Sequence, residues 1–311
     1  MRRQYFIGIF FVLLLLILVP FSGCTKTKSA FKKILPESMT NKKKPANPEL
    51  KKRVMVLPFV DLAGLDPAME KKIMDDLLAV LSTSPDLIIC EAPDDVNLPA
   101  KDKLCTLGIV KPENEFLEKA EDLGMNAIIT GVVNPVRSAK RKTGILFLSK
   151  SKKMYEISVV INVFDIMTKT LLINNLESEE ELVSLDKIPD AQDEKRIMNE
   201  LLKKYLSDIL ERQAKAVTKE LSKDPWTGKI LSVEKDTIKT TAGKDIGLRP
   251  NQHFTVFARG ETISCEGGQS YSLLGDRIGE IRVTSIMESQ SLAVPVGQGS
   301  FSPGQVIRMT R

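Results

Sequence analysis

The sequence has one histidine, one tryptophan and four cysteines in 311 residues, and aromatic residues make up only 5% of it. A zinc site needs three or four nitrogen or sulfur ligands, and one histidine with scattered cysteines does not supply them. That histidine, His253, lies in the strand-like run His253-Phe254-Thr255-Val256-Phe257, a structural or surface position rather than a catalytic one. No two cysteines have the C-x-x-C spacing of a redox or zinc motif. No G-x-S-x-G, H-E-x-x-H or phosphate-cradling P-loop occurs. Gly297-Gln298-Gly299 begins like a dinucleotide fingerprint, but the third glycine is missing from its place and the segment reads as a turn. Asp75-Asp76 and Asp94-Asp95 are adjacent carboxylates; the first pair sits on a helix, where neighbours point to different sides. No catalytic residue, cofactor or metal is therefore expected. The scarcity of aromatics removes a stacking platform for single strands. The near balance of 45 basic and 40 acidic residues, net +5, gives no argument for nucleic acid.

What is present begins at the amino end. Met1-Arg2-Arg3 precedes an uncharged run from Gln4 to Leu18, then Val19-Pro20-Phe21-Ser22-Gly23-Cys24. The apolar run is short for a spanning helix, which needs about 20 residues. Small residues before a cysteine fit a secretory signal better. This pattern resembles the precursors of bacterial lipoproteins, with Phe21 where the family usually has Leu. The resemblance implies that residues 1–23 are removed, that Cys24 is acylated, and that Thr25 directs the product to the outer membrane, facing the periplasm. An oxidising compartment permits a disulfide. Cys90 and Cys105 are near enough in sequence to pair, leaving Cys265 over; three separate thiols are the alternative. Residues 24–52 carry many lysines with Pro36, Pro45 and Pro48, and read as a basic tether that cannot bury a core.

An α+β fold is expected beyond the tether. In residues 53–224, Val54-Met55-Val56-Leu57-Pro58-Phe59-Val60 suits a buried strand, and Asp66-Pro67 is a helix start followed by the stripe Met69, Ile73, Leu77, Leu78, Leu81. Leu87 to Cys90 makes a second strand and so a parallel crossover. A second helix starts near Pro112, with Phe116, Leu117, Ala120 and Leu123 inward and Gly124 as its cap. Ala127 to Val133 is a third strand. Tyr155 to Ile166 alternates as a fourth, and a return strand begins at Leu171 and loses its apolar character at Glu177. Ala191 to Leu221 keeps helical spacing at Ile197, Leu201, Leu202, Tyr205, Ile209, Gln213 and Val217. In residues 225–311 the period changes to short β-like runs punctuated by glycine, which predicts a small β-barrel.

One interval stands out by charge. Asn134 to Lys153 contains Arg137, Lys140, Arg141, Lys142, Lys150, Lys152 and Lys153 and no acid, around the apolar tetrad Ile145-Leu146-Phe147-Leu148. Arg137, Lys140, Arg141, Lys142, Ile145, Leu146, Phe147 and Leu148 are thus expected to contact a membrane or an acidic partner, or else to form a hairpin packed on the core.

Arg53-Val54-Met55-Val56-Leu57-Pro58-Phe59, Leu87-Ile88-Ile89, Gly124-Met125-Asn126-Ala127-Ile128-Ile129-Thr130-Gly131 and a hairpin with Asp165 near its bend resemble the TolB amino-terminal-like domain. That module is shared by the flagellar assembly protein T (FlgT) family, the curli-export lipoproteins (CsgG) and the lipoprotein activators of peptidoglycan synthases. Trp226-Thr227-Gly228-Lys229-Ile230 through Gly247-Leu248-Arg249-Pro250-Asn251 to Ser302-Pro303-Gly304-Gln305-Val306-Ile307 resembles the FlgT carboxy-terminal domain, an SH3-like barrel. The resemblance implies an α/β sandwich followed by a barrel, and a non-enzymatic scaffold of an envelope machine. The implied partners are envelope proteins of the flagellar basal body or of cell-wall synthesis, with a homo-oligomer possible. A synthase regulator or an export-channel component is the alternative. Ile145 to Leu148 is too short a run for a spanning strand, which needs about 9–11 residues.

Overall fold

The structure, a computed structural model, describes residues 50–92, 108–144, 150–188, 190–265 and 269–310. They form a mixed sheet with three helices, followed by a separate closed six-strand antiparallel barrel. Cys24, the tether up to Glu49, Asp94-Asp95, Cys105 and the tetrad Ile145 to Leu148 lie outside the described residues. Among the described residues, no helix is long and apolar enough to cross a membrane.

The sheet grows from near-continuous apolar runs. Strand β1 (Lys52–Val56) is flanked in parallel by β3 (Leu87–Glu91) and β4 (Ala127–Val133), with Val54 beside both Ile89 and Ala127. Burial on both faces suits the apolar run Val54-Met55-Val56 of β1 and the apolar residues of β4, in which Thr130 is buried as well. The two-residue β2 (Val60–Asp61) pairs with the end of β4, just after Pro58 interrupts the first strand. Helix α1 (Pro67–Ser82) is the crossover between β1 and β3. The Asp66 carboxylate accepts the Met69 amide at 2.8 Å, and Pro67 stands where a missing N–H costs nothing. Of its expected stripe, Met69, Ile73, Leu77 and Leu81 are buried and Leu78 is half-buried against the same core.

Helix α2 (Asn114–Asp122) covers the opposite face and ends at Gly124, whose φ of +73° only glycine adopts freely. Leu117 and Ala120 face inward, but Leu123 is 57% exposed, which corrects the sequence expectation. The residue taken inside is Glu121, because Arg259 of the barrel meets its carboxylate there.

The long strand β6 (Lys150–Asp165) starts five residues before the expected Tyr155. Its Val159–Asp165 half pairs with β4, and its Lys150–Glu156 half pairs with β5 (Arg137–Thr143). Strand β7 (Leu171–Ser184) lines its other edge throughout, running on well past Glu177. Helix α3 (Ala191–Leu221) lies across the β6–β7 face and against α1, burying Ile197, Leu201, Leu202, Leu206, Ile209 and Val217. The glutamates that ended the apolar pattern of β7 are held by this helix. Arg212 bridges Glu177 and Glu179, and Lys204 and Tyr205 meet Glu181. Buried Gln213 donates to the carbonyls of Val159 at 2.7 Å and Asn175 at 3.2 Å, pinning the helix to both strands.

The barrel runs in the closed order β10 (His253–Cys265), β11 (Gln269–Ile286), β12 (Ser291–Val296), β9 (Thr237–Thr240), β8 (Thr227–Glu234) and β13 (Val306–Met309). Closure removes free edges. Its core holds Trp226, Ile230, Ile238, Phe254, Val256, Ile281, Val283 and Ile307, with the Trp226 and Phe254 ring centres 5.7 Å apart. Leu50, ahead of β1, joins this core. The first two of the long strands extend beyond the short runs read from the sequence.

Candidate functional site

The cationic interval forms a hairpin: β5 and the first half of β6. Arg137, Lys140, Arg141 and Lys142 all lie on β5 and all are exposed. Among the described residues, β5 pairs with β6 alone, so its other edge is open. Strand alternation divides the cations between two faces. Ser138 lies opposite Tyr155, which packs under α3, so Lys140 and Lys142 point to the helix side. Arg137 and Arg141 point to the other. The register agrees with the ion pairs. Arg141 reaches Glu180 of β7 at 3.6 Å across the far face, and Lys153 pairs with Glu194 of α3 at 2.5 Å on the near face. Among the described residues, Arg137, Lys140 and Lys142 have no ion-pair partner.

A second group of residues ties sheet to barrel, and its pattern was not visible in the sequence. Arg53 of β1 is buried, and its guanidinium reaches into the barrel. Nε and Nη2 take both carboxylate oxygens of Asp245 at 2.6 and 2.8 Å; Nη1 donates to the Thr241 carbonyl at 2.8 Å and Nη2 to that of Ser289 at 2.9 Å. The fixed fork of arginine suits this bidentate and carbonyl-rich cradle. Asn126 holds the Arg53 amide through Oδ1 at 3.0 Å and donates Nδ2 to the Thr227 carbonyl at 2.7 Å. Arg259 and Lys229 from the barrel close on Glu121 and Asp122 of α2. Nothing in the local sequence of Arg53 distinguishes it from the other basic residues of that stretch; its partners lie about two hundred residues away.

A cleft of about 550 Å³ opens beside this seam, lined by Lys52, Asp165, Thr168, Asp224, Leu273 and Arg308 among others. Most of its polar groups are engaged. Lys52 donates to the Leu221 carbonyl at 2.5 Å, and Asp165 caps the β6–β7 turn through the Thr168 amide at 2.6 Å and the Thr168 hydroxyl at 2.7 Å. The Thr168 carbonyl accepts the Ser272 amide at 3.0 Å, a further bridge to the barrel. Among the described residues, no cluster of three or more His, Cys, Asp or Glu is placed to hold a metal ion. His253 sits in β10, as expected. Asp75 and Asp76 pair separately with Lys71 and Lys72. Cys90 is half-buried and has no disulfide partner among the described residues, and burial pushes its thiol pKa up. Its expected partner Cys105 lies outside the described residues.

No protein-family model matches the sequence, and no curated protein does. Among solved structures, the chain is similar to the hypothetical protein CT253 from Chlamydia trachomatis, at 13% identity and TM-score 0.30, covering 54% of this chain and 98% of that one. It is similar to the PelC dodecamer from Paraburkholderia phytofirmans, at 12% identity and TM-score 0.28, covering 53% and 91%. It is also similar to lipoprotein GNA1162 from Neisseria meningitidis, at 11% identity and TM-score 0.26, covering 56% and 99%. At such scores these likenesses carry no argument about what the chain does.

Proposed function

We propose that the chain is a non-enzymatic envelope lipoprotein, anchored at the periplasmic face of the outer membrane through Cys24. In this reading it is an assembly or scaffold component of an envelope machine of the flagellar-assembly type. The leader residues Phe21-Ser22-Gly23-Cys24 support the anchor. The observation that carries the scaffold reading is the Arg53 clasp. A buried arginine with five side-chain hydrogen bonds, four of them to barrel residues, makes sheet and barrel one stiff body. Stiffness between two modules is what a spacer or bracket requires, and an exposed edge ribbon gives it a contact surface.

Two measurements test this. Replacing Cys24 with Ala should move the protein from the membrane to the soluble periplasmic fraction; retention in the membrane refutes the anchor. A photoreactive residue at Lys142 should capture a defined envelope protein in intact cells. Capture of a flagellar component supports the assembly role, and capture of a peptidoglycan synthase replaces it with the regulator reading. A Lys142 position that crosslinks nothing overturns the contact surface.

A further inference from the structure

The open edge of β5 has a chemistry of its own, and we infer that it takes up an extended acidic strand from a partner protein by strand addition. The inference rests on the scaffold reading above and names the partner that its contact surface selects.

Three observations converge on β5. Its outer edge has no neighbouring strand among the described residues, so alternate backbone amides and carbonyls face outward. Its seven residues, Arg137-Ser138-Ala139-Lys140-Arg141-Lys142-Thr143, hold four cations and no acid. The cations alternate across the ribbon, Arg137 and Arg141 on one face and Lys140 and Lys142 on the other. Lys140 also lies opposite Lys153, and Arg141 opposite Lys152; Glu194 and Glu180 offset one member of each pair and Glu156 lies opposite Arg137, while Lys140 and Lys142 have no ion-pair partner among the described residues.

The alternation decides among occupants. A flat anionic bilayer meets one face of a ribbon, and a helix presents one stripe; neither reaches cations on both faces. An added strand does, because its own side chains alternate in step with those of β5. The matching sequence has consecutive acids, so that each face of the incoming strand brings carboxylates opposite Arg137 and Arg141 or opposite Lys140 and Lys142. The same charges reject neutral or basic strands, which keeps an open edge from pairing indiscriminately.

The test uses the full chain in detergent and a fluorescent hexapeptide, Val-Glu-Glu-Glu-Glu-Val, followed by anisotropy. Three controls separate the alternatives: a longer peptide that keeps four glutamates but alternates them with proline, one with four glutamates alternating with serine so that all lie on one face, and the water-soluble headgroup glycerophosphoglycerol in place of a peptide. The acidic peptide should bind, with the proline and one-face peptides about tenfold weaker or more. The variants Lys140→Gln and Arg141→Gln, on opposite faces, should each weaken it about tenfold, with the melting temperature little changed because the Arg141–Glu180 pair is exposed. Equal binding of the proline peptide would reduce the effect to charge alone and overturn strand addition. Binding of glycerophosphoglycerol but not of the peptide would overturn it in favour of a lipid surface. If the peptide fails while a probe at Lys142 still captures an envelope protein in cells, the strand mode falls and the scaffold reading stands.

Discussion

Replacing Arg53 with Met removes the clasp between sheet and barrel while keeping much of the side-chain volume. The guanidinium is 3% exposed and its partner Asp245 is 22% exposed. Deleting one member of a buried pair costs about 3–5 kcal/mol, because the other charge stays where water reaches it poorly. The carbonyls of Thr241 and Ser289 also lose their donor, at about 1 kcal/mol each, while the partial exposure of Asp245 pulls the other way. The expected loss is therefore about 3–5 kcal/mol out of a total of order 5–15 kcal/mol. At about 2–4 °C per kcal/mol for a domain of this size, the melting midpoint falls by roughly 10 °C. Urea unfolding should be followed by Trp226 fluorescence, which reports the barrel core, and by helical ellipticity, which reports α1 and α3. Adding Asp245→Leu to Arg53→Met should recover part of the loss, since an apolar pair leaves no stranded charge. A loss below about 1 kcal/mol, the level of an exposed ion pair, would refute the clasp.

Three further predictions concern single positions. Asp66→Ala should cost about 1 kcal/mol in urea unfolding through the lost cap on the Met69 amide, and no change would mean that water replaces it. Gly124→Ala should cost about 2 kcal/mol or more. The φ of +73° disfavours a side chain, and its Cβ would stand 2.6 Å from Arg53 Nη1. Thermal melting checks this, and a neutral result would show that the cradle yields. The hydrogen bond from Tyr205, aided by Lys204, holds the Glu181 carboxyl below its usual value of 4.5, so its contribution is present above that pH and is lost as pH falls through the lower folded value. Glu181→Gln should flatten the fall of the melting midpoint below pH 4.5, and an unchanged slope would contradict the pairing.

Local patterns in the sequence located most elements of the fold. Asp66-Pro67 marked the start of α1, Gly124 the end of α2, and the alternation through Tyr155 to Val163 the centre of β6. Strand β5 was legible only as an arm of the hairpin offered for Asn134 to Lys153, because Arg137 to Thr143 has no apolar alternation to set its bounds. It is a strand because β6 continues past β4 and offers an edge to pair with. The second half of β7 escaped for the opposite reason: its glutamates look like a loop until Arg212, Lys204 and Tyr205 are set over them. Arg53 could not be singled out, since Asp245 and the Thr241 and Ser289 carbonyls come together only when the chain closes on itself. The run of cations is visible in the composition, but their division between two faces needed the register.

Leu50 gives the molecule an order of completion. It is among the first described residues, and the Lys51 amide beside it bonds to the Ile246 carbonyl at 2.9 Å. Yet Leu50 fills the core of the barrel, whose last strand ends at Met309. During synthesis the amino-terminal side of the body must wait, apolar and unsealed, until nearly the whole polypeptide has been made. A product that stops short of the barrel leaves Leu50 and the Arg53 charge facing solvent, so incomplete chains carry a mark that proteases and chaperones can read.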